Sequence, residues 1–266
     1  MSRPPAWTFT GCGLLGGYYL GVFHALSRKS VPRTLFDAQS SRLHGASAGA
    51  LVSAAMASGC PLAETTDAFE RIAAGVRKDG LLRCALLALV RAEAEALLPE
   101  DAHERVGDRL SVLATDAGAA PFLRLVTFDT FDSRAALIDA VLVSSYVPGL
   151  MCRPTLTTPL DEQRLLDGGI WSFEARDGER LISVSPFGGD FNVSPTSQRT
   201  AQRLRWPMVP VGMGWLDASP ANIANAWYAF SPVAELEDLY RSGFDDCERF
   251  LREECPGLVL APYISR

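Results

Sequence analysis

Residues 42–58 read Arg42-Leu43-His44-Gly45-Ala46-Ser47-Ala48-Gly49-Ala50-Leu51-Val52-Ser53-Ala54-Ala55-Met56-Ala57-Ser58, and the folding of this stretch decides the class of the chain. Arg42–Gly45 has the character of a short strand. Ala48–Ser58 is rich in alanine and suits a buried helix. Between them lies Gly45-Ala46-Ser47-Ala48-Gly49, a GxSxG pentapeptide at a strand-to-helix junction. That is the setting of a nucleophile elbow, where a serine is held in a sharp, strained turn. Gly45 and Gly49 let neighbouring backbones pass without a Cβ clash, and the spacers Ala46, Ala48 and Ala50 are small. The helix that follows directs its N-terminal dipole at the serine, worth up to roughly 2 kcal/mol for a developing anion. The same five residues also fit an ordinary tight turn with an unremarkable serine.

Working outward, strands and helices alternate. Upstream, Ala6–Thr10 reads as a strand, Gly11–Gly17 as a glycine loop and Tyr18–Lys29 as a largely apolar helix. Downstream, Leu62–Lys78 and Leu81–Leu98 read as helices, the first amphipathic through Leu62, Phe69, Ile72 and Val76. Leu110–Ala114 and Phe122–Phe128 read as strands, and Asp132–Ser144 as a helix with a capping start. Arg164–Asp167 is a strand ending at Gly168-Gly169, and Leu181–Val184 is another. This alternation predicts an α/β protein with a mainly parallel central sheet. From Pro186 the texture changes: prolines predict loop over 186–221, then helices over Ile223–Tyr240 and Asp245–Glu254. Residues 7–175 are therefore expected to form the core, and 176–266 a C-terminal helical extension packed on it.

The chain has 266 residues, 48% hydrophobic and 21% charged, enough for a sizeable core and unlike a disordered chain. Its formal net charge of −6 argues against nucleic acid as a partner. Six irregularly spaced cysteines contain no CxxC pair, which favours a reducing compartment over a disulfide framework. No residue between Arg3 and Arg28 carries a formal charge. A spanning helix needs about 20 mainly apolar residues, and five glycines interrupt this run, so a soluble strand–loop–helix is expected rather than a signal peptide or anchor.

Three histidines limit the chemistry: His24, His44 and His103. A Ser–acid–His triad in the α/β-hydrolase chain order needs a histidine late in the chain, and none follows His103. Asp167, at a strand end, can act as the base instead. A carboxyl near 3.9 is a poor base at neutral pH, but burial raises its pKa. Acyl transfer also needs donors for an oxyanion. The loop Gly11-Cys12-Gly13-Leu14-Leu15-Gly16 can converge its amides beside a helix start. It reads equally as the GxGxxG of a dinucleotide site, with Asp37 at the place of a ribose-binding acid. That rival, a nucleotide-dependent oxidoreductase, leaves Gly45–Gly49 and Asp167–Gly169 without a purpose.

Taken in order, Thr10-Gly-Cys-Gly-Leu-Leu-Gly, Gly45-Ala-Ser-Ala-Gly and Asp167-Gly-Gly resemble the patatin-like phospholipase family. The first motif is similar to the adipose triglyceride lipase branch, as are Ser144-Ser-Tyr-Val-Pro148, Val184-Ser-Pro-Phe187 and Gly243-Phe-Asp-Asp246. The resemblance implies a three-layer α/β/α fold and a Ser47–Asp167 dyad, Ser47 as nucleophile and Asp167 as general base. It implies an oxyanion hole at Gly11, Cys12, Gly13 and Leu14, with Gly16, Gly45, Gly49, Gly168 and Gly169 as motif glycines. No cofactor and no metal are implied. The implied activity is hydrolysis of lipid esters in the cytoplasm, peripherally at droplet or membrane surfaces, with a protein co-activator conceivable. Leu15 stands where many members place a basic residue, which favours neutral lipid such as triacylglycerol over phospholipid. A catalytically silent lipid-binding regulator on the same fold is the alternative.

Overall fold

The computed structural model describes residues 4–79, 85–118, 123–149, 151, 154–158, 160, 164–169, 179–189, 191–195, 208–211, 214–217 and 236–258. Its central sheet is built from β1 (Ala6–Phe9), β2 (Leu43–Ala46), β3 (Leu110–Asp116), β4 (Arg124–Phe128), β5 (Leu165–Asp167) and β6 (Leu181–Val184). The order is β4-β3-β2-β1-β6, with β5 also pairing β3. β6, β1, β2 and β3 run parallel, with Phe9 beside Gly45 and Gly45 beside Val112. β4 and β5 both run antiparallel to β3.

Both faces of the parallel part are buried, as a parallel sheet requires. Trp7, Phe9, Leu43 and Val112 join the main core, while Thr8, His44 and Ser111, in register on the opposite face, are almost fully enclosed. Around the sheet lie α1 (Gly17–Leu26), α2 (Ala48–Ser58), α3 (Leu62–Asp79), α4 (Ala85–Leu97), α5 (Ala102–Val106), α6 (Arg134–Ser144) and α7 (Leu236–Glu254). α2 follows β2 after one residue and stops at Gly59, whose φ of 75° caps the helix in the left-handed region. α6 starts on the Ser133 cap, whose hydroxyl accepts from the Ala136 amide at 3.1 Å. α7 crosses α1 closely, because Gly21 faces the Tyr240 carbonyl and Gly243 faces the Tyr18 carbonyl with no side chain between. Beside this crossing the Tyr18 hydroxyl donates to Asp246 at 2.8 Å.

Four expectations change. Gly13–Gly16 is a 3-10 turn rather than open loop. Residues 181–184, read as a strand but placed in the extension by the boundary at 176, belong to the central sheet. The presumed loop over 186–221 contains an antiparallel pair, β7 (Met208–Val211) with β8 (Gly214–Asp217). The two C-terminal helices are one over Leu236–Glu254, since Arg241-Ser242-Gly243-Phe244 continue it. Gly243 is held helical by its tight seat against α1. The expected helix start at Ile223, Leu81–Cys84 and the beginning of the Phe122 strand lie outside the described residues. Among the described residues no helix is long and apolar enough to cross a membrane.

Candidate active site

Ser47 sits between β2 and α2 with φ 54° and ψ −124°, the only non-glycine residue among those described with positive φ. Such a backbone costs on the order of 1–3 kcal/mol and persists only where its surroundings over-determine it. Here they do. A Cβ on Gly45 would lie 2.5 Å from the Gly49 carbonyl oxygen and 2.6 Å from the Ala50 backbone. A Cβ on Gly49 would run into the carbonyls of Phe9 and Thr10. The end of β1 therefore rests on the first turn of α2, and the Ser47 amide donates to Ser144 Oγ at 2.8 Å.

Asp167 reaches Ser47 because β3 is longer than β2. β2 pairs with β3 only as far as Leu113, and β5 takes over the vacated edge, setting Asp167 opposite Ala114. The strand that carries Asp167 is antiparallel to β3, unlike the parallel strands β6, β1 and β2. Its main chain is held on three sides. The Asp167 amide donates to the Tyr146 carbonyl at 2.7 Å, the Gly168 amide to the Ser144 carbonyl at 3.2 Å, and Thr115 Oγ1 to the Asp167 carbonyl at 2.6 Å. Gly168 lies flat on the Leu113 carbonyl, where a Cβ has no room. The carboxylate accepts from the Gly169 amide at 2.6 Å and from the Ser47 hydroxyl. Burial pushes its pKa from 3.8 up to about 6, against the lowering effect of those two bonds. Among the described residues no cation offsets the burial.

The glycine loop closes the third side. A Cβ on Gly11 would come 2.8 Å from Gly169 Cα and 3.4 Å from Ser47 Cβ, so this loop, the elbow and the acid's turn meet at one point. Gly13 has φ 55°, which glycine adopts freely. Among the described residues no backbone carbonyl accepts from the amides of Gly11, Cys12, Gly13 or Leu14. The loop is anchored from behind, where the Tyr19 hydroxyl donates to the Thr10 carbonyl at 2.8 Å. Burial holds the Cys12 thiol neutral. Gly16 packs against the Phe69 ring, and Leu15 is buried in the core rather than set in the cavity wall.

Ser47, Asp167 and Gly11 to Leu14 open onto one cavity of about 560 Å³. Its wall is largely apolar, with Leu51 from α2, Phe69 and Ile72 from α3, and Leu86, Leu87 and Val90 from α4. α4, the described part of the helix expected over Leu81–Leu98, therefore lines the cavity as well as joining the core. None of the three histidines lines it. His44 is enclosed in the sheet, His24 packs on Phe244, and His103 lies 3.9 Å from Glu104. Asp37 accepts from Gln39 and Ser40 in a local turn and does not reach the cavity. Among the described residues no cluster of acidic, histidine and cysteine side chains could hold a metal ion. Ser144, Tyr146, Thr115 and Tyr19 were not singled out as site residues by sequence reasoning. The one signal available for the first two was the fragment Ser144–Pro148.

A serine on a strained strand-to-helix turn, an aspartate across from it and a glycine loop over both define the elbow class of α/β proteins. The sequence profile of the patatin-like phospholipase family matches residues 8–173, and the chain belongs to that family. It is 30% identical over 255 residues to human patatin-like phospholipase domain-containing protein 4, covering 93% of this chain and 96% of that one. It is 29% identical over 268 residues to human patatin-like phospholipase domain-containing protein 2, covering 98% of this chain and 51% of the relative. A human protein named 1-acylglycerol-3-phosphate O-acyltransferase PNPLA3 is 27% identical over 254 residues, 93% of this chain and 50% of its own. The chain thus spans about half the length of proteins 2 and PNPLA3, and nearly all of protein 4. The crystal structure of VipD from Legionella pneumophila superposes with a TM-score of 0.50 at 12% identity, covering 95% of this chain and 67% of VipD. The fold is the three-layer patatin-like one anticipated from the three motifs.

Proposed function

We propose that the protein is a lipid acyl hydrolase that cleaves carboxylic esters, with triacylglycerol or another neutral lipid as substrate, through a Ser47–Asp167 dyad. Asp167 takes the proton from Ser47 Oγ as the oxygen attacks the ester carbonyl. The amides of Gly11 to Leu14 stabilise the oxyanion. The tetrahedral intermediate expels the alcohol, which leaves with the proton held by Asp167, and an acyl-Ser47 ester remains. Water attacks that ester, Asp167 again accepting a proton, and the fatty acid departs as Ser47 is regenerated. A second alcohol in place of water completes transacylation, the reaction type that the name of the PNPLA3 relative describes.

The observation that carries this reading is the meeting of Ser47, the Gly11 loop and a buried Asp167 at one apolar cavity, with the Asp167 carboxyl raised to about 6. A base titrating near the working pH transfers protons more effectively than an ordinary carboxylate. The largely apolar wall matches the acyl chains of an uncharged ester. Peripheral action at droplet or membrane surfaces accords with such a substrate. Replacement of Ser47 by Ala tests the assignment on p-nitrophenyl butyrate and a mixed lipid-ester panel, with products identified by mass spectrometry. Turnover should fall to background, and a fluorophosphonate should label wild-type protein at Ser47 only. Full activity in Ser47→Ala would remove the nucleophile. A folded wild-type protein that neither labels nor turns over any ester would instead favour the silent lipid-binding regulator.

A further inference from the structure

The serine and its acid belong to different segments, and one side chain lies between them. Ser144, the last residue of α6, is fully buried. Its hydroxyl has a single proton, and the geometry fixes where it goes. Ser144 Oγ donates to the Leu113 carbonyl at 2.6 Å and accepts from the Ser47 amide at 2.8 Å. Its own carbonyl accepts from the Gly168 amide at 3.2 Å. One residue thus ties the strained elbow, the end of β3 and the turn that follows the acid. Leu113 is the shared platform, since Ala46 pairs with it across the sheet and Gly168 lies on its carbonyl.

We propose that Ser144 is the positioning residue of this site, setting the distance between Ser47 and Asp167 by holding the amide of one and the turn of the other. This rests on the dyad reading above. The physical argument is that Ser47 occupies a backbone conformation that relaxes unless it is held. Its amide lies outside the α2 hydrogen-bond ladder, and a buried amide without an acceptor is costly. With the Ser144 hydroxyl removed, the turn loses the bond that sets its amide direction. Ser47 Oγ then moves relative to a carboxylate that is anchored independently through Tyr146, Thr115 and Gly169. Ser144 touches no substrate position, because it does not line the cavity.

This role leaves a mark that loss of packing alone does not. The Ser47 hydrogen bond is one of the two forces that hold the Asp167 pKa down against burial. Weakening it moves the acid limb of activity upward. The titratable group that faces Asp167 is the Cys12 thiol from the glycine loop, with the Tyr19 hydroxyl behind it, and both are held neutral by burial.

The test is kcat and KM for p-nitrophenyl butyrate across pH 4.5–8.5 in wild type, Ser144→Ala and Ser144→Cys, with folding checked by circular dichroism and thermal melting. Cysteine keeps the volume while replacing the hydroxyl by a weak donor and acceptor, so it serves where the alanine variant does not fold. The expected result is a kcat lower by roughly 10- to 100-fold in alanine, a smaller loss in cysteine, KM within about twofold, and an acid limb displaced above its wild-type position. A folded variant with wild-type kcat and an unmoved limb, whatever its melting temperature, overturns the proposal. Ser47→Ala and Asp167→Asn are run beside them. If either of those turns over normally, the dyad itself is wrong. If both are inactive while the Ser144 variants behave as wild type, only the positioning role fails.

Discussion

Asp139 on α6 and Asp167 on β5 are both taken out of bulk water, and the protein treats them in opposite ways. Asp139 is fully buried. Burial alone would raise its pKa, but the Arg91 guanidinium, the Thr158 and Thr157 amides and both threonine hydroxyls converge on its two oxygens and bring it below 3.8. Asp167 has its Gly169 amide and the Ser47 hydroxyl and, among the described residues, no arginine, and burial takes it up to about 6. The first carboxylate is satisfied on every side and acts as a strut that pins the cavity helix α4 and the 155–158 segment to α6. The second is under-satisfied, so it retains an appetite for a proton. Burial alone therefore does not mark a reactive acid. The balance between burial and compensation does.

The largest expected effect separates the two by chemistry. Asp167→Asn should lower kcat/KM by about 10⁴-fold or more. Asp139→Asn, in protein that folds, should leave it within about fivefold, since no reacting atom touches Asp139. Steady-state ester hydrolysis measures both, and comparable losses in the two variants would dissolve the contrast.

The next effect separates them by stability. Arg91→Ala strands a buried carboxylate and should cost roughly 3–5 kcal/mol in urea unfolding. A loss below about 1 kcal/mol would show that the threonine donors suffice without the cation.

The smallest effect is one of sign. Asp139 has a folded pKa below its unfolded value, so its contribution is present above pH 3.8 and lost as pH falls through the folded value. Asp167 has a folded pKa above its unfolded value, so stability declines between pH 3.8 and about 6 and is flat above. Asp167→Asn should therefore be more stable than wild type at pH 8 by up to about 3 kcal/mol, the equivalent of moving a carboxyl from 3.8 to about 6. The gain should vanish near pH 4. Melting curves across pH check this, and an equal gain at pH 4 and 8 would mean that packing, not ionisation, was responsible.

Much of this site was legible in residue order. Gly45, Ser47 and Gly49 announced a strand-to-helix turn because only small residues fit one, and the Gly11–Gly16 loop announced amides that converge beside a helix start. The missing late histidine pointed to Asp167. The strand direction at Asp167 was not legible, since three residues ending in a glycine pair look alike in parallel and antiparallel strands. The β7–β8 pair was hidden by a run of prolines, and the continuity of α7 between Tyr240 and Asp245 was not read. Both depend on what those segments meet, not on their own propensities.

By itself the amino-acid sequence determined the local devices: a glycine-framed serine, a glycine loop, an acid before two glycines and alternating strands and helices. These are short-range matters, set by Cβ clashes and backbone freedom within a few residues. Only the tertiary structure decided that the Asp167 carboxyl is raised and the Asp139 carboxyl lowered. A carboxyl's pKa depends on every donor and cation that the fold brings to it, and Arg91 comes to Asp139 from 48 residues away while Asp167 meets Ser47 across a sheet edge.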